Sequence, residues 1–201
     1  MNSRIAAVIL AAGRSERMKG RNKLLLRYRG KPILLYPVEA AHNAGADPCL
    51  VVTGYQAEKI NAVLPPYARP VYNPDHRLGM GTSISCGVRA LPPRSEGALI
   101  IQGDMPLLTA EIIRKIMNMV KADRGPQIIV PYAHHRQGNP VYFSKHFFAE
   151  LQRLHRDRGA KELLQQAGEA LCRLHLDDPA VLTDVDDMEA YQQLMNTDKG
   201  T

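Results

Sequence analysis

The chain contains no tryptophan, only three phenylalanines and three cysteines in 201 residues. Cys49, Cys86 and Cys172 stand far apart and form no CxxC pair, which excludes a disulfide scaffold and a zinc ribbon and predicts a reduced, cytoplasmic protein. Aromatic residues make up 5% of the chain, too few to stack a single-stranded nucleic acid. No apolar run approaches the roughly 20 residues of a membrane-spanning helix. The apolar stretch Ile5 to Ala12 is too short for the core of a signal peptide with its flanks and runs into Gly13-Arg14-Ser15, so it reads as a strand. Neither GxxxxGK[ST] nor GxGxxG follows it, so neither the P-loop nor the dinucleotide-binding turn is present there. Repeats, low-complexity tracts and linkers are also missing. The expectation is one domain over residues 1–201.

What the chain does have is positive charge. Lys and Arg number 26 against 20 Asp and Glu, a formal net charge of +6. That balance favours anionic partners, whether nucleic acid, a membrane surface or a phosphorylated small molecule, and is equally compatible with a mildly basic surface. The clustering narrows the choice. Arg14, Arg17, Lys19, Arg21 and Lys23 crowd into one short loop, which suits a small phosphorylated ligand better than a nucleic-acid track. Neither a nucleic-acid nor a membrane partner is expected.

Periodicity gives strands alternating with helices. IAAVILAA, PCLVVTG, RPVYN, GALIIQ, QIIVPY, PVYFS and LCRLHLD read as strands. KPILLYPVEAAHNAGA reads as a helix with Pro32 in its first turn and Gly45 at its stop; Pro37 then lies deep, unless the helix starts late. QAEKINAVL, TSISCGVRAL, TAEIIRKIMNMVKA with Thr109 as cap, two segments between His146 and Ala167, and DMEAYQQLM complete the helices. The pattern predicts an α/β, Rossmann-like three-layer sandwich with a mostly parallel central sheet. Ligands of such sheets bind beyond the carboxyl ends of the strands, which directs attention to the loops at Ala12, Gly54, Asn73, Gly103 and Tyr132.

Four stretches at those ends carry chemistry. The loop after the first strand places Gly13, which lets backbone N–H groups approach an anion, among the five cations, an arrangement suited to a triphosphate. A solvated basic turn is the plainer alternative. In NPDHRLGMGTSISCGVRAL, Gly79 and Gly81 precede a helix whose first turn holds Thr82, Ser83 and Ser85, a place for a base, ribose or phosphate or simply a capped helix. In ALIIQGDMPLL the strand ends at Gly103 and delivers Asp104, a fitting Mg²⁺ ligand because Mg²⁺ takes one or two carboxylates plus phosphate oxygens and water. In LTDVDDMEAY, Asp184 and Asp186 alternate on an extended stretch and face one way, although acidic residues also oppose a helix macrodipole. Asp186 is the preferred second ligand, with Asp184 left open.

Together these blocks resemble one family. LAAGRSERMKGRNKLLLRYRGKPIL, NPDHRLGMGTSISCGVRAL, QGDMPLL, GNPVYFS, DRGAKELL and TDVDDMEAY are similar, in order, to the nucleotidyltransferases that activate molybdopterin, most of all to the molybdenum cofactor cytidylyltransferases, with the guanylyltransferases of the same pathway next. The resemblance implies Mg²⁺-dependent transfer of CMP from CTP to the phosphate of molybdopterin, with pyrophosphate released and a molybdenum hydroxylase receiving the product. It implies that Leu10, Ala11, Ala12 and Gly13 line the nucleotide through backbone groups and that Arg14 joins them. Arg17, Lys23 and Asp104 would be the catalytic groups, Lys23 also holding the triphosphate. Gly81, Thr82 and Ser83 would meet the base and ribose, Asp104 and Asp186 the metal, and Gly138, Asn139 and Pro140 the acceptor. Residues up to about 130 would then bind nucleotide and about 131–196 the acceptor. A phosphate monoester acceptor is already anionic near neutral pH, so no strong general base is needed.

Three places depart from the family pattern: Gly138-Asn139-Pro140 stands for Gly-His-Pro, Asp186-Asp187-Met188 for Asp-Thr-Pro, and Asp157-Arg158-Gly159-Ala160 for GDxGA. All fall in the half expected to hold the acceptor. Rival readings are a guanylyltransferase, an NTP transferase acting on another phosphorylated molecule, and a non-catalytic cofactor chaperone, which would not need the metal carboxylates. His134 and His135 either face the pterin phosphate or sit exposed in their loop. His146, His155 and His175 show no ligand spacing, so no zinc site is expected.

Overall fold

The segment Ile5–Ala11 (β1) is apolar at every position, and it lies at the centre of the sheet, hydrogen-bonded on both sides. The structure, a computed structural model, describes residues 4–18, 20–120, 125, 127–156 and 160–197. Beside β1 run Cys49–Thr53 (β4) and Gly97–Gln102 (β6), both parallel to it, and Ala68–Tyr72 (β5) continues the parallel set beyond β4. Val141–Ser144 (β9) pairs antiparallel with β6 and with Ile128–Ala133 (β7), and Leu171–His175 (β10) lies parallel to β7 at the far edge. The sheet order is β10-β7-β9-β6-β1-β4-β5, with Arg136–Gln137 (β8) added to β7. β9 is the strand that reverses direction within an otherwise parallel order, and the ends of β1, β4, β5 and β6 that carry the loops of interest share one rim.

Alternation along β1 sorts the layers. Ile5, Ala7, Ile9 and Ala11 join Leu34, Val38, Ile112, Ile113 and Ile116 on one face, while Val8 and Ala12 join Ile84, Val88 and Leu151 on the other. The first face is covered by Leu35–Asn43 (α1), Ala57–Asn61 (α2) and Ala110–Asn118 (α4), the second by Met80–Arg89 (α3), Phe148–Gln152 (α5) and Lys161–Gln166 (α6). This is a Rossmann-like three-layer sandwich. No helix among the described residues is long and apolar enough to cross a membrane.

Several boundaries differ from the sequence expectation. Pro32 is not in a helix: Arg27–Tyr28 (β2) and Lys31–Pro32 (β3) form a small hairpin first, and α1 begins late at Leu35. Pro37 therefore occupies the third helical position, where an N–H has no intrahelical acceptor and its loss costs nothing. The expected stop at Gly45 is a Schellman motif. Gly45 takes φ 92°, its N–H donates to the His42 carbonyl, and Ala46 N–H donates to the Ala41 carbonyl. α3 starts at Met80, so Gly81 lies inside the helix and not before it. Thr109 caps α4 by accepting from Ile112 N–H at 3.3 Å. β8 was expected as loop. Lys19 and Asp157-Arg158-Gly159 of the sequence blocks lie outside the described residues, as do 121–122 of the fourth helix.

A third, smaller core ties the two ends of the chain together. Tyr28 and Ile33 of the hairpin region pack with Val185 and with Leu194 of the last helix, Met188–Thr197 (α7). Tyr191 Oη donates to the Arg27 carbonyl at 2.7 Å, and Tyr36 Oη to the Tyr28 carbonyl at 2.6 Å. The segment that follows the basic loop and the segment that carries the acidic cluster are thereby held side by side.

Candidate functional site

Beyond β1 the chain cannot stay extended, because its cations need solvent or an anion. Ser15 turns it at φ 53°, and Met18, fully buried, pins the loop to the body while Arg14 and Arg17 remain exposed. Asn22 Oδ1 accepts from Leu24 N–H at 3.1 Å, capping a short helical turn over Lys23–Leu25, and Lys23 N–H donates to Ser15 Oγ at 3.2 Å. Lys23 thus enters the cleft from a fixed backbone.

Asp104 enters from β6. Gly103 follows the strand with its N–H on the Leu10 carbonyl at 3.0 Å, and a Cβ at 103 would stand 2.7 Å from that oxygen. Glycine is needed for β6 to end this close to β1. Asp104 is buried, and its carbonyl accepts from Val185 N–H at 3.0 Å, which draws the 184–186 segment across the cleft. Lys23 Nζ contacts Asp104 Oδ2 and lies 3.0 Å from Asp186 Oδ1, while Arg17 Nη1 stands 3.7 Å from Asp186 Oδ2. Burial pulls the Lys23 pKa down, but the Asp104 and Asp186 carboxylates outweigh it and leave the group above its ordinary value. Lys23 is a full cation throughout the neutral range.

The cleft has a volume of about 540 Å³. Leu10, Ala12, Gly13, Arg14, Lys23, Ser83, Asp104, Asp184 and Asp186 of the sequence-expected set line it. Ala11 does not, because the alternation of β1 turns its side chain into the opposite core face. Arg17 is outside the lining and reaches the site only through Asp186. Gly81 is turned against the His155–Arg156 backbone, where a Cβ would meet the Arg156 carbonyl at 2.7 Å. Thr82 is engaged below the cleft. Its hydroxyl lies 2.8 Å from the Gly79 carbonyl and 3.0 Å from the Asp75 carbonyl, and it accepts from Asn73 Nδ2 at 2.9 Å. Gly138, Asn139 and Pro140 are not in the lining either; Asn139 N–H donates to the Val181 carbonyl at 2.8 Å. His134 and His135 sit exposed in the β7–β8 turn at φ 48° and 61°.

Other residues also build the site. Asn73, buried, donates from Nδ2 to Thr82 and, at 3.1 Å, to Ser83, and so fastens the 73–79 loop to the start of α3. Ser15, Glu16, Leu24, His76, Arg77, Gly79, Met80 and Gln102 complete the walls. The signal was present in part: His76 and Arg77 belong to the block around Gly79, at the carboxyl end of β5.

Asp186 and Asp184 face the cleft, whereas Asp187 caps α7 by accepting from Ala190 N–H at 2.9 Å. Among the described residues no group of three or more His, Cys, Asp or Glu side chains forms a complete metal cage. Two carboxylates and open space remain, a donor set that suits a cation completing its shell with phosphate oxygens and water. Asp104 Oδ1 is buried and has no hydrogen-bond partner among the described residues, an orphaned acceptor that fits this use.

Burial, then the Asp104 and Asp186 charges, raise the Asp184 pKa above its ordinary 3.8. A folded-state pKa raised above the unfolded one gives stability present below the unfolded value and lost as pH rises through the folded value. At neutral pH the ionised Asp184 therefore destabilises the fold. Asp184→Asn is expected to raise Tm at pH 7 by about 1–3 °C, a modest figure because Asp184 is only half-buried, and to give no gain below about pH 3.8. Thermal unfolding at the two pH values checks it; an equal gain at both would refute the electrostatic cause.

Residues 7–171 match the model of the MobA-like NTP transferase domain. A solved structure of Rv0371c from Mycobacterium tuberculosis superposes with a TM-score of 0.86 at 29% identity, covering 98% of this chain and all of that one. The same protein in complex with manganese gives 0.81 at 28% identity over 96% of this chain and 99% of that one. A nucleotidyl transferase from Methanothermobacter shares the fold, with a TM-score of 0.83 at 23% identity over 96% of each chain. Among curated proteins, the bifunctional protein GlmU of Rhizorhabdus wittichii is 36% identical over 126 residues, 62% of this chain and 28% of the relative. The alignment with the GlmU of Geobacter sulfurreducens is 34% identical over 138 residues, 68% of this chain and 28% of that one. The chain thus spans little more than a quarter of the length of the curated relatives it matches. A cation-lined cleft at the carboxyl rim of a Rossmann-like sheet and a family match over residues 7–171 lead to one conclusion: the chain belongs to the MobA-like NTP transferase domain family.

Proposed function

We propose that the protein is a Mg²⁺-dependent cytidylyltransferase that moves CMP from CTP onto the phosphate of molybdopterin, releases pyrophosphate and passes its product to a molybdenum hydroxylase in the cytoplasm. The observation that carries the chemistry is the meeting of Lys23, Asp104 and Asp186 in one cleft, with Nζ between the two carboxylates. The substrate pair rests on the resemblance of the ordered sequence blocks.

Gly13 leaves room for backbone N–H groups to reach the phosphates, with Leu10, Ala11 and Ala12 offering backbone beside the nucleotide and Arg14 and Arg17 supplying charge at the rim. Ser83, held by Asn73, presents its hydroxyl to the ribose or base, and Gly81 and Thr82 act through the shape they give the helix start. Asp104 and Asp186 would hold Mg²⁺, which when bound neutralises phosphate charge and holds the triphosphate in line. A phosphate oxygen of the acceptor forms the new bond to the α-phosphorus. The bond from that phosphorus to the β-bridging oxygen breaks, and its electron pair leaves with pyrophosphate, whose growing charge Lys23 and Arg17 face. In this assignment residues 1–130 bind the nucleotide and 131–196, with Gly138, Asn139 and Pro140, the acceptor, while Asp186 returns to the metal.

Incubation with molybdopterin and each of CTP, GTP, ATP and UTP in Mg²⁺ tests the base. Pyrophosphate release is expected to favour CTP at least about tenfold, the scale of one or two well-placed polar contacts. Equal weak rates with all four would sink the proposal. A second reading keeps the reaction and changes the acceptor to another phosphorylated small molecule. It is favoured by the placement of Gly138-Asn139-Pro140 outside the cleft lining, and a sugar phosphate outperforming molybdopterin would establish it.

A further inference from the structure

Two demands meet at Lys23. Its ammonium touches Asp104 Oδ2 and lies 3.0 Å from Asp186 Oδ1, so a monovalent cation already fills the gap between the carboxylates assigned above to Mg²⁺. A divalent ion would need oxygens of those same groups at about 2.0–2.1 Å. An ammonium and a divalent ion cannot share that gap, because the two positive charges would lie a few ångströms apart in a largely buried site. The backbone that carries the carboxylates is held. Asp104 is tied through its carbonyl to Val185 N–H at 3.0 Å, and the 185–194 segment is packed on Tyr28 and Ile33. Lys23 can yield instead. Its backbone is fixed by Ser15 and by the Asn22 cap, but its side chain has four rotatable bonds and borders the open cleft beside Gly13 and Arg14.

We propose that Lys23 is a placeholder for the divalent cation: in the nucleotide-free protein its ammonium occupies the gap between Asp104 and Asp186 and offsets part of their charge, and the metal enters as a triphosphate draws that ammonium away. The inference rests on the nucleotidyltransfer reading of the site. Its consequence is thermodynamic. Metal alone must displace a bound cation that has nowhere better to go, and so binds weakly. With a triphosphate present the ammonium has a new anion, and metal and nucleotide bind cooperatively, each strengthening the other by the same factor.

The signature is a pair of effects of opposite sign at one residue. Mn²⁺ binding to the nucleotide-free protein is followed by the electron paramagnetic resonance of free Mn²⁺. Lys23→Met and Lys23→Gln are each expected to bind Mn²⁺ at least about tenfold tighter than the parent, while binding a non-hydrolysable CTP analogue more weakly in saturating Mn²⁺. Arg14→Met removes an equal charge from the same cleft but not from the gap, and is expected to change Mn²⁺ affinity less than about threefold. A lysine that only grips phosphate leaves Mn²⁺ affinity unchanged on removal, and a merely structural one lowers both affinities; either result overturns the inference. Should the variants unfold without metal, refolding in Mn²⁺ replaces the binding measurement. Rescue at concentrations that leave the parent's Tm unmoved supports the placeholder, and failure to rescue overturns it. A parent protein that binds no nucleoside triphosphate at saturating Mn²⁺ would overturn the functional reading and this inference together. Triphosphate binding with Mn²⁺ affinity indifferent to Lys23 overturns this inference alone.

Discussion

Asp104→Ala is expected to lower the rate of pyrophosphate release by about 10²- to 10³-fold, the cost typical of removing one preorganised electrostatic contact, since Asp104 itself is buried. Two things are lost at once. Asp104 Oδ1, buried and without a partner among the described residues, is an acceptor open to a cation, and Asp104 Oδ2 holds Lys23 in the cleft until the nucleotide arrives. The loss should fall on kcat, because the backbone that shapes the proposed nucleotide site, with Gly103 on the Leu10 carbonyl, does not depend on the carboxylate. Asp186→Ala is expected to act in the same direction by only about tenfold, since its carboxylate is half exposed and water can take over part of its work. Urea denaturation of both variants separates lost chemistry from lost folding. An Asp104→Ala enzyme as active as the parent would remove Asp104 from the mechanism.

That expectation was open to a reader of the sequence for a simple reason. Asp104 directly follows a continuous apolar strand and a glycine, and in a parallel sheet such a position falls on the ligand-bearing rim. The strands were legible for the same cause: β1, β4 and β6 are buried on both faces, so each is an unbroken apolar run with punctuation at its end. The hairpin of β2 and β3 was not legible, since two-residue strands are too short to show a period. The start of α3 was missed because Gly79-Met80-Gly81 has poor helix propensity. Tertiary packing overrides it, as Gly81 faces the His155–Arg156 backbone at a distance no Cβ could tolerate.

The partnership of Lys23 with Asp186 is a different case. The two are 163 residues apart, and the matched family stretch ends at residue 171, before the acidic segment begins. What joins them is the small core of Tyr28, Ile33, Val185 and Leu194, with Tyr191 bonded to the Arg27 carbonyl. Its members come from a hairpin, a loop and a helix, so no single periodicity reports it. Local motifs suggested that both groups meet a nucleotide, and only the fold shows that they meet each other. The same limit applies to Asn73: its loop could be marked from the sequence, but only the fold shows its side chain fastening Thr82 and Ser83.

The strongest expected effect on stability lies under the site, at Gly87. It is buried on the inner face of α3, where a Cβ would overlap Val8 Cγ1 and stand 2.8 Å from Val52 Cγ2. Neither valine can give way: both are fully buried, β-branched and set in adjacent central strands, with one dominant χ1 well each. The helix must move instead, or the strands must part. Ordinarily alanine in place of a helical glycine gains about 1 kcal/mol from propensity, but overpacking a close-packed core costs about 1–3 kcal/mol and sometimes more. With methyl against methyl on a rigid sheet the second term wins. Gly87→Ala is expected to lose about 1–2 kcal/mol net, lowering Tm by about 2–8 °C for a chain of this size. Function should suffer as well, because α3 carries Ser83 at its start and anchors the 73–79 loop through Asn73. Lifting the helix off Val8 and Val52 shifts that wall of the cleft. In the surviving folded enzyme KM for the nucleotide is expected to rise more than kcat falls, since Lys23 and Asp104 hang on other elements. Thermal unfolding and steady-state kinetics on the one variant test both halves, and a Gly87→Ala protein as stable as the parent would show that α3 does not press on the sheet as closely as described.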